Sequence, residues 1–230
     1  MIYVTGDTHG LIDIDKIKNF LSNTNVSKND YLIIVGDVCC PEFGQEIPYG
    51  KVFDFWNNIP MQILFIDGNH ENFNELNKLP IEIWNGGKIH RLSSNIIHLI
   101  RGQIYEIENK KFFSMGGATS PDKMLRILNF NYFEEEDCSY IETKLALENL
   151  EKNLNKVDYI LTHTIGDEFL KKNMSQYFKY YPQYSGAINR FLDYIDETVD
   201  YKHWYFGHFH KDIKLDNKHT LLYNNIIKLT

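Results

Sequence analysis

Five short apolar runs, spread along the chain, each stop at side chains able to bind a metal ion. Residues 61–66 run into Gly68-Asn69-His70-Glu71, and residues 1–4 into Gly6-Asp7-Thr8-His9. Residues 31–35 run into Gly36-Asp37, 159–161 into His163, and 204–206 into Gly207-His208-Phe209-His210. Runs this short, rich in Ile, Leu, Val and aromatic residues and without polar alternation, read as strands buried on both faces. Amides, imidazoles and carboxylates where a strand gives way to a loop point to chemistry rather than packing. The pattern therefore predicts a layered fold whose strand ends converge on a two-metal site.

The segments between these runs fit that scheme. Ile14, Ile17, Phe20 and Leu21 have helical spacing behind Asp13, a candidate cap, and Asn29-Asp30 turns the chain into the second strand. Residues 39–50 form an irregular loop with Pro41, Gly44, Pro48 and Gly50, 51–57 a short helix, and 71–79 a further helix stopped by Pro80. Strand, helix, strand, helix, strand is the order of an α/β layered fold. Residues 88–115 read as an antiparallel meander, the start of a second sheet, turned at Gly102 and at Glu108-Asn109. Residues 140–155 read as a long amphipathic helix burying Ile141, Leu145 and Leu150. A helix over 187–197, a hairpin turned at Asp216-Asn217-Lys218 and a last strand near 226–229 complete the reading.

At 230 residues the chain is expected to be one domain, 1–230, with no linker to divide it. With 24 basic and 31 acidic residues the formal charge is −7, which does not favour duplex nucleic acid as a partner. Three cysteines, Cys39, Cys40 and Cys138, fit a reducing compartment, and no stretch approaches the length of a membrane span. A soluble cytoplasmic protein without membrane association is the expectation.

Asp7 and His9 are alternate residues, so both can reach one cation, and His208 and His210 repeat the spacing. A mixture of oxygen and imidazole ligands suits manganese, iron or zinc better than calcium, and the absence of cysteine ligands argues against a structural zinc. Cys39 and Cys40, beside Asp37, read as reduced thiols. Each motif alone is weak, since Asp-x-His arises often by chance. Their co-occurrence has odds on the order of one in 10⁴ to 10⁶ from average residue usage.

These five blocks, in this order, resemble those of the calcineurin-like metallophosphoesterase superfamily, and the segment from Ser120 through Arg126 resembles one in its small bacterial and phage members. The resemblance runs from Asp7 to His210 and is most specific at Gly-Asn-His-Glu and Gly-His-x-His. It implies a four-layer α/β/β/α sandwich, two mixed sheets flanked by helices, with a binuclear centre at the strand ends. By that resemblance Asp7, His9 and His210 hold one metal, Asn69, His163 and His208 the other, and Asp37 bridges both. His70 matches the family's catalytic histidine, which contacts phosphate or protonates the leaving oxygen, while a metal-bridging hydroxide attacks phosphorus. Two divalent ions are implied, manganese first, with iron, zinc, nickel, cobalt or magnesium as alternatives.

The chain departs from the protein serine/threonine phosphatase branch, which has Gly-Asp-x-Val-Asp-Arg-Gly where this sequence has Gly36-Asp37-Val38-Cys39-Cys40-Pro41. The acid that orients the histidine there and the arginine that grips phosphate are missing at those places. Arg126 or Lys123, after the loop Gly116-Gly117-Ala118-Thr119-Ser120-Pro121, is a candidate replacement, Arg being suited to bidentate binding. Glu71 is a third candidate substrate contact, although support of His70 or the start of the next helix suits it better. His90, His98, His203 and His219 read as structural. Tyr177, Tyr180, Tyr181 and Tyr184 read as packing in preference to a base-stacking wall, and residues 134–137 as a solvent-facing acidic run. The expected activity is hydrolysis of a phosphomonoester or phosphodiester in a phosphorylated small molecule or nucleotide. The alternatives are a nucleotide or single-strand phosphodiesterase, a protein phosphatase, and a catalytically silent binding scaffold.

Overall fold

A computed structural model describes residues 1–43, 50–177 and 185–229. Its first part runs β1 (Ile2–Thr5), α1 (Asp15–Asn23), β2 (Tyr31–Val35), α2 (Lys51–Asn57), β3 (Gln62–Ile66) and α3 (Phe73–Leu76). The middle consists of β4 (Ile81–Trp84), β5 (Gly87–Arg91), β6 (Ile96–Leu99), β7 (Gln103–Ile107) and β8 (Lys110–Met115). Then come α4 (Tyr140–Lys152), β9 (Tyr159–Thr162), α5 (Asp167–Phe169), α6 (Ala187–Thr198), β10 (His203–Phe206), β11 (Ile213–Lys214), β12 (His219–Leu221) and β13 (Ile227–Leu229).

The strands form two mixed sheets, ordered β13-β1-β2-β3-β6-β5-β4 and β11-β12-β10-β9-β8-β7. Alternate side chains along each strand enter different layers. Ile33 and Val35 of β2, Leu64 and Ile66 of β3 and Leu161 of β9 pack in the cluster between the sheets. Leu32, Ile34, Ile63 and Phe65 point the other way, onto Ile17 of α1 and Trp56 of α2. On the far side Ile160, Trp204 and Phe206 meet Ala146 and Leu150 of α4 and Leu192 of α6. Both faces of each central strand are therefore covered, which is why these segments lack polar alternation. Each such side chain contributes about 1.5–3 kcal/mol on burial, and a one-residue slip would exchange two layers, so the register is tightly specified.

Within the first sheet β1, β2 and β3 are parallel and in step, Thr5 opposite Ile34 and Val35 opposite Ile66. In the second, β9 and β10 are parallel with Thr162 opposite Phe206. Their carboxyl ends are thus level within each sheet. No helix among the described residues is long and apolar enough to cross a membrane.

Several local expectations are corrected. The helix expected over 71–79 is only Phe73–Leu76, because Glu71 is bonded to the backbone of Val38 and Cys39 and Asn72 leaves helical geometry. Asp13 does not cap α1; its carboxylate lies 2.7 Å from His9 Nδ1. The meander is divided, β5 and β6 joining the first sheet and β7 and β8 the second, and β4 adds an unexpected edge strand. The turn at Glu108-Asn109 is as expected, with φ of 50° and 59°, the left-handed pair of a tight hairpin.

Helix α4 buries Ala146 and Leu150, while Ile141 and Leu145 are exposed. Gly102 and Ala146 are so close that a Cβ at Gly102 would stand 2.9 Å from that of Ala146, and this contact turns the larger residues outward. The run 134–137 is not wholly solvent-facing, because Glu136 is buried. Tyr177 is exposed; Tyr180, Tyr181 and Tyr184, like Gly44 and Pro48, lie outside the described residues.

Candidate metal centre

Loops leaving β1, β2, β3, β9 and β10 carry Asp7, Asp37, Asn69, His163 and His208 to one place. The two sheets touch there through Val35, whose carbonyl accepts a hydrogen bond from His163 Nδ1 at 2.7 Å. Gly36, at φ 98°, makes that approach possible, since a Cβ would run into the His163 imidazole. A Cβ on Gly68 would in the same way meet the Asp37 carboxylate. Asp7, Asp37, Asn69 and His163 are all buried.

The backbone is bent where ligands are needed. His9, Asp37, His208 and His210 have φ of 43°, 54°, 70° and 49°, in the left-handed region that non-glycine residues enter at a cost. Lys16 holds the end of β1, its ammonium donating to the carbonyls of Gly6 at 3.0 Å, Asp7 at 2.6 Å and also Tyr223. The Tyr223 ring in turn stacks on His210, with centroids 4.9 Å apart.

Asp37 Oδ2 is 3.3 Å from His9 Nε2 and 3.3 Å from His163 Nε2. His163 Nε2 is also 3.2 Å from Asn69 Oδ1, and Asp7 Oδ2 is 3.2 Å from His210 Nε2. Since Nδ1 of His163 donates to Val35, its Nε2 in the neutral ring is a lone pair facing two further lone-pair groups. His9 repeats the arrangement, with Nδ1 on Asp13 and Nε2 turned toward Asp37. Asp7 Oδ2 is buried without a hydrogen bond among the described residues. Converging acceptors of this kind call for a positive charge.

The titration behaviour has the same origin. Burial would lower both rings, yet Asp37 and Asp7 raise His9 to about 9 and His163 to about 10. Asp7 and Asp37 are held below the usual carboxylate range in spite of burial, His163 being the first cause, and Asp37 lies well below it. Burial and the neighbouring His163 push His208 down to about 3, which keeps that ring neutral as a ligand must be.

The donors fit divalent cations. Among the described residues three groups could each hold an ion: Asp7, His9 and His210; His9, Asp37 and His70; and Asp7, Asp37 and His163, the ligand atoms of each lying within 4.8 Å of one another. Two ligands each about 2.1 Å from one cation stand about 3.0–3.4 Å apart at octahedral or tetrahedral angles, which is the spacing seen around Asp37 and Asp7.

A pocket of about 260 Å³ opens over these groups, lined by Asp37, Asn69, His70, Pro121, Asp122, Arg126, His208, Phe209 and His210. Residues 1–212 match the family described as calcineurin-like phosphoesterase. The chain belongs to that family. No curated protein matches it. As a calcineurin-like phosphoesterase it is placed among metal-dependent hydrolases of phosphoester bonds.

The other expected contacts of this phosphoesterase separate in space. Arg126 reaches the pocket, its Nη2 3.0 Å from His70 Nε2, whereas Lys123 is exposed and is not among the lining residues. Glu71 is turned away, its two oxygens accepting the Val38 and Cys39 N–H groups at 2.8 and 2.9 Å. It thereby secures the bend at Asp37, and burial followed by Asp37 pushes its carboxyl well above the usual range. Cys39, Cys40 and Cys138 are free thiols. His90 and His98 form a buried stack 5.3 Å apart that leads to Asp67, and His203 and His219 bond to Thr220 and Tyr201.

Asp13, Ser120 and Glu136 are the residues that motif reading missed. Asp13 lies four residues after His9, a spacing that the helix-cap reading absorbed. Ser120 reads in the sequence only as part of a loop and Glu136 as part of a solvent-facing run, because the contacts that give them a role, Ser120 with Asn69 51 residues away and Glu136 with Ser120 and Arg126, form only on folding.

Proposed function

We propose that the chain is a metal-dependent phosphoesterase with a binuclear centre, cleaving a phosphomonoester or phosphodiester bond. Asp7, His9 and His210 hold one cation, Asn69, His163 and His208 the second, and Asp37 bridges them. The observation that carries the reading is the position of Asp37 Oδ2, 3.3 Å from both His9 Nε2 and His163 Nε2. Divalent ions bound there supply Lewis-acid polarisation of phosphoryl oxygens and acidify water near neutrality.

The chain's own residues do the rest. Arg126 offers a guanidinium at the pocket to phosphoryl oxygens, in place of the arginine missing after Asp37. His70, whose backbone N–H is fixed on Asp37 Oδ1 at 2.8 Å, contacts the phosphate or carries a proton to the leaving oxygen. Asp13 holds His9 with Nε2 toward the centre, as carboxylates behind metal-binding histidines do.

In this reading residues 1–230 act as one catalytic domain, with manganese the first metal to test. The substrate is a phosphorylated small molecule or nucleotide; the net charge of −7 disfavours duplex nucleic acid, and the free thiols support a reducing, cytoplasmic setting. The experiment is release of nitrophenol from mono- and bis-nitrophenyl phosphate with manganese, iron, cobalt, nickel or zinc. Turnover abolished by Asp37→Asn and by His70→Ala is expected. No turnover with any of these metals would sink the proposal, and activity confined to a phosphopeptide would move the chain to the protein phosphatase branch.

A further inference from the structure

Residues 134–137 are four successive acids, yet Glu136 is 1% exposed and every contact of its carboxylate is with a donor. One oxygen, Oε2, accepts the Ser120 hydroxyl. The other, Oε1, accepts the Phe133 N–H at 3.2 Å and lies 3.4 Å from Arg126 Nη1. We infer that Glu136 is a positioning residue of the site, orienting the Asn69 amide through Ser120 and holding Arg126 at the pocket with the same carboxylate. The inference rests on the phosphoesterase reading above.

An ionised carboxylate only accepts, so the single Ser120 proton must point at Glu136. Ser120 Oγ then faces Asn69 with a lone pair and accepts its Nδ2–H at 2.9 Å. The two ends of an amide are nearly equal in size, and this chain of bonds selects between them: Nδ2 is taken by Ser120, leaving Oδ1 beside His163 Nε2 at 3.2 Å. Only that orientation offers the centre a ligand oxygen instead of an N–H₂ group. The second arm ends at the pocket: Arg126 Nη1 lies 3.4 Å from Glu136 Oε1 and 3.3 Å from the Asn131 carbonyl, while Nη2 is 2.8 Å from Asp122 Oδ1 and 3.0 Å from His70 Nε2.

Burial pushes the Glu136 carboxyl up to about 7, and the Ser120, Phe133 and Arg126 donors favour its charged form. With donors at both oxygens, the ionised form is the one that the geometry accommodates. A glutamine in its place cannot satisfy both arms. With its oxygen toward Ser120, its N–H₂ meets the Phe133 N–H and the guanidinium. Turned round, its N–H₂ donates to Ser120 Oγ and frees the Ser120 proton to donate to Asn69 Oδ1, so the selection between the two ends of the amide is lost.

The test compares wild type, Glu136→Gln, Ser120→Ala and Arg126→Ala, all confirmed folded by circular dichroism and melting temperature. Manganese affinity is measured by calorimetry on metal-stripped protein without substrate, and phosphate affinity by inhibition of nitrophenyl phosphate turnover. Glu136→Gln is expected to weaken both by about 10- to 100-fold, the usual range for residues behind a metal ligand. Ser120→Ala is expected to weaken manganese binding alone, and Arg126→Ala phosphate binding alone. Loss of only one affinity in Glu136→Gln, or of neither, overturns the inference while leaving the phosphoesterase reading intact. A wild type that binds no manganese and cleaves neither ester refutes that reading itself. Should Glu136→Gln fail to fold, Ser120→Ala decides: manganese affinity equal to wild type overturns the inference.

Discussion

Arg126 Nη2 stands 3.0 Å from His70 Nε2 at the mouth of the pocket, and a guanidinium has no acceptor. His70 Nε2 must therefore be the acceptor, which places the ring in its neutral form with the proton on Nδ1. Burial lowers the His70 pKa, Asp37 opposes the shift and Arg126 adds to it. In the resting protein the histidine is thus deprotonated on the nitrogen that faces substrate, and an incoming phosphate must take the guanidinium before His70 can gain a proton there.

Replacing Arg126 tests this relationship. Arg126→Ala should raise KM for a nitrophenyl ester by about 10- to 100-fold, the worth of one charge-assisted hydrogen bond. It should also raise the His70 pKa, shifting its nitrogen resonances in a ¹⁵N titration to higher pH. Arg126→Lys should restore little, because an ammonium lacks the planar fork that grips a phosphoryl group through two donors. An unchanged His70 titration in Arg126→Ala would contradict the assignment.

Asp13 supplies a second prediction. Its carboxylate fixes His9 Nδ1–H at 2.7 Å and so keeps Nε2 turned toward Asp37. Asp13→Asn should reduce metal affinity about 10- to 100-fold with little change in melting temperature of the stripped protein. Asp13 does not cap α1, so a loss of helix without loss of metal binding would show that this role has been misread.

What could be read beforehand follows from what each feature depends on. The strand ends and their ligands were legible because β1, β2, β3, β9 and β10 are buried on both faces, leaving unbroken apolar runs that stop at Asp7, Asp37, Asn69, His163 and His208. The turn at Glu108-Asn109 was legible from local backbone preference. Glu71 and Glu136 were not, because their roles are set by tertiary placement: Glu71 bonds a loop 33 residues away in sequence, and Ser120 reaches Asn69 across 51 residues. Asp13 is only four residues from His9, but its place before α1 suits a helix cap equally well. The shortening of the helix after Glu71 has the same cause, a functional loop overriding a local helical preference.

The buried pair Asp67 and Arg101 leads to a stability prediction. Arg101 donates to Asp67 Oδ2 from Nε at 2.7 Å and Nη2 at 2.5 Å, and His98 Nε2 lies 3.1 Å from Oδ1. Asp67 immediately precedes Gly68 and Asn69, so the pair anchors the loop that carries His70. Arg101→Met leaves a buried carboxylate uncompensated and should cost about 3–5 kcal/mol in urea unfolding. The double variant Arg101→Met with Asp67→Asn removes that charge and should be less destabilised than Arg101→Met alone. Equal or greater loss in the double variant would mean that packing of the arginine, not its charge, is what matters.

The last prediction concerns protons and metal. In the metal-free protein Asp37 and Asp7 raise His9 to about 9 and His163 to about 10, so both rings are protonated at pH 7. Metal binding needs their lone pairs and must release those protons. The sign follows: affinity for manganese should rise with pH from 7 toward 9, by up to about tenfold per unit for each proton released. Both folded pKa values lie above the unfolded value of about 6.5, so the stability these pairs add to the stripped protein is fully present below that pH. It is lost as pH rises through about 9 to 10, whereas the metal-loaded protein, its rings already deprotonated, escapes that loss. Calorimetry in buffers of different ionisation enthalpy measures the release directly. No net proton release at pH 7 would show that the histidines are neutral before the metal arrives, and that the carboxylates do not set their charge.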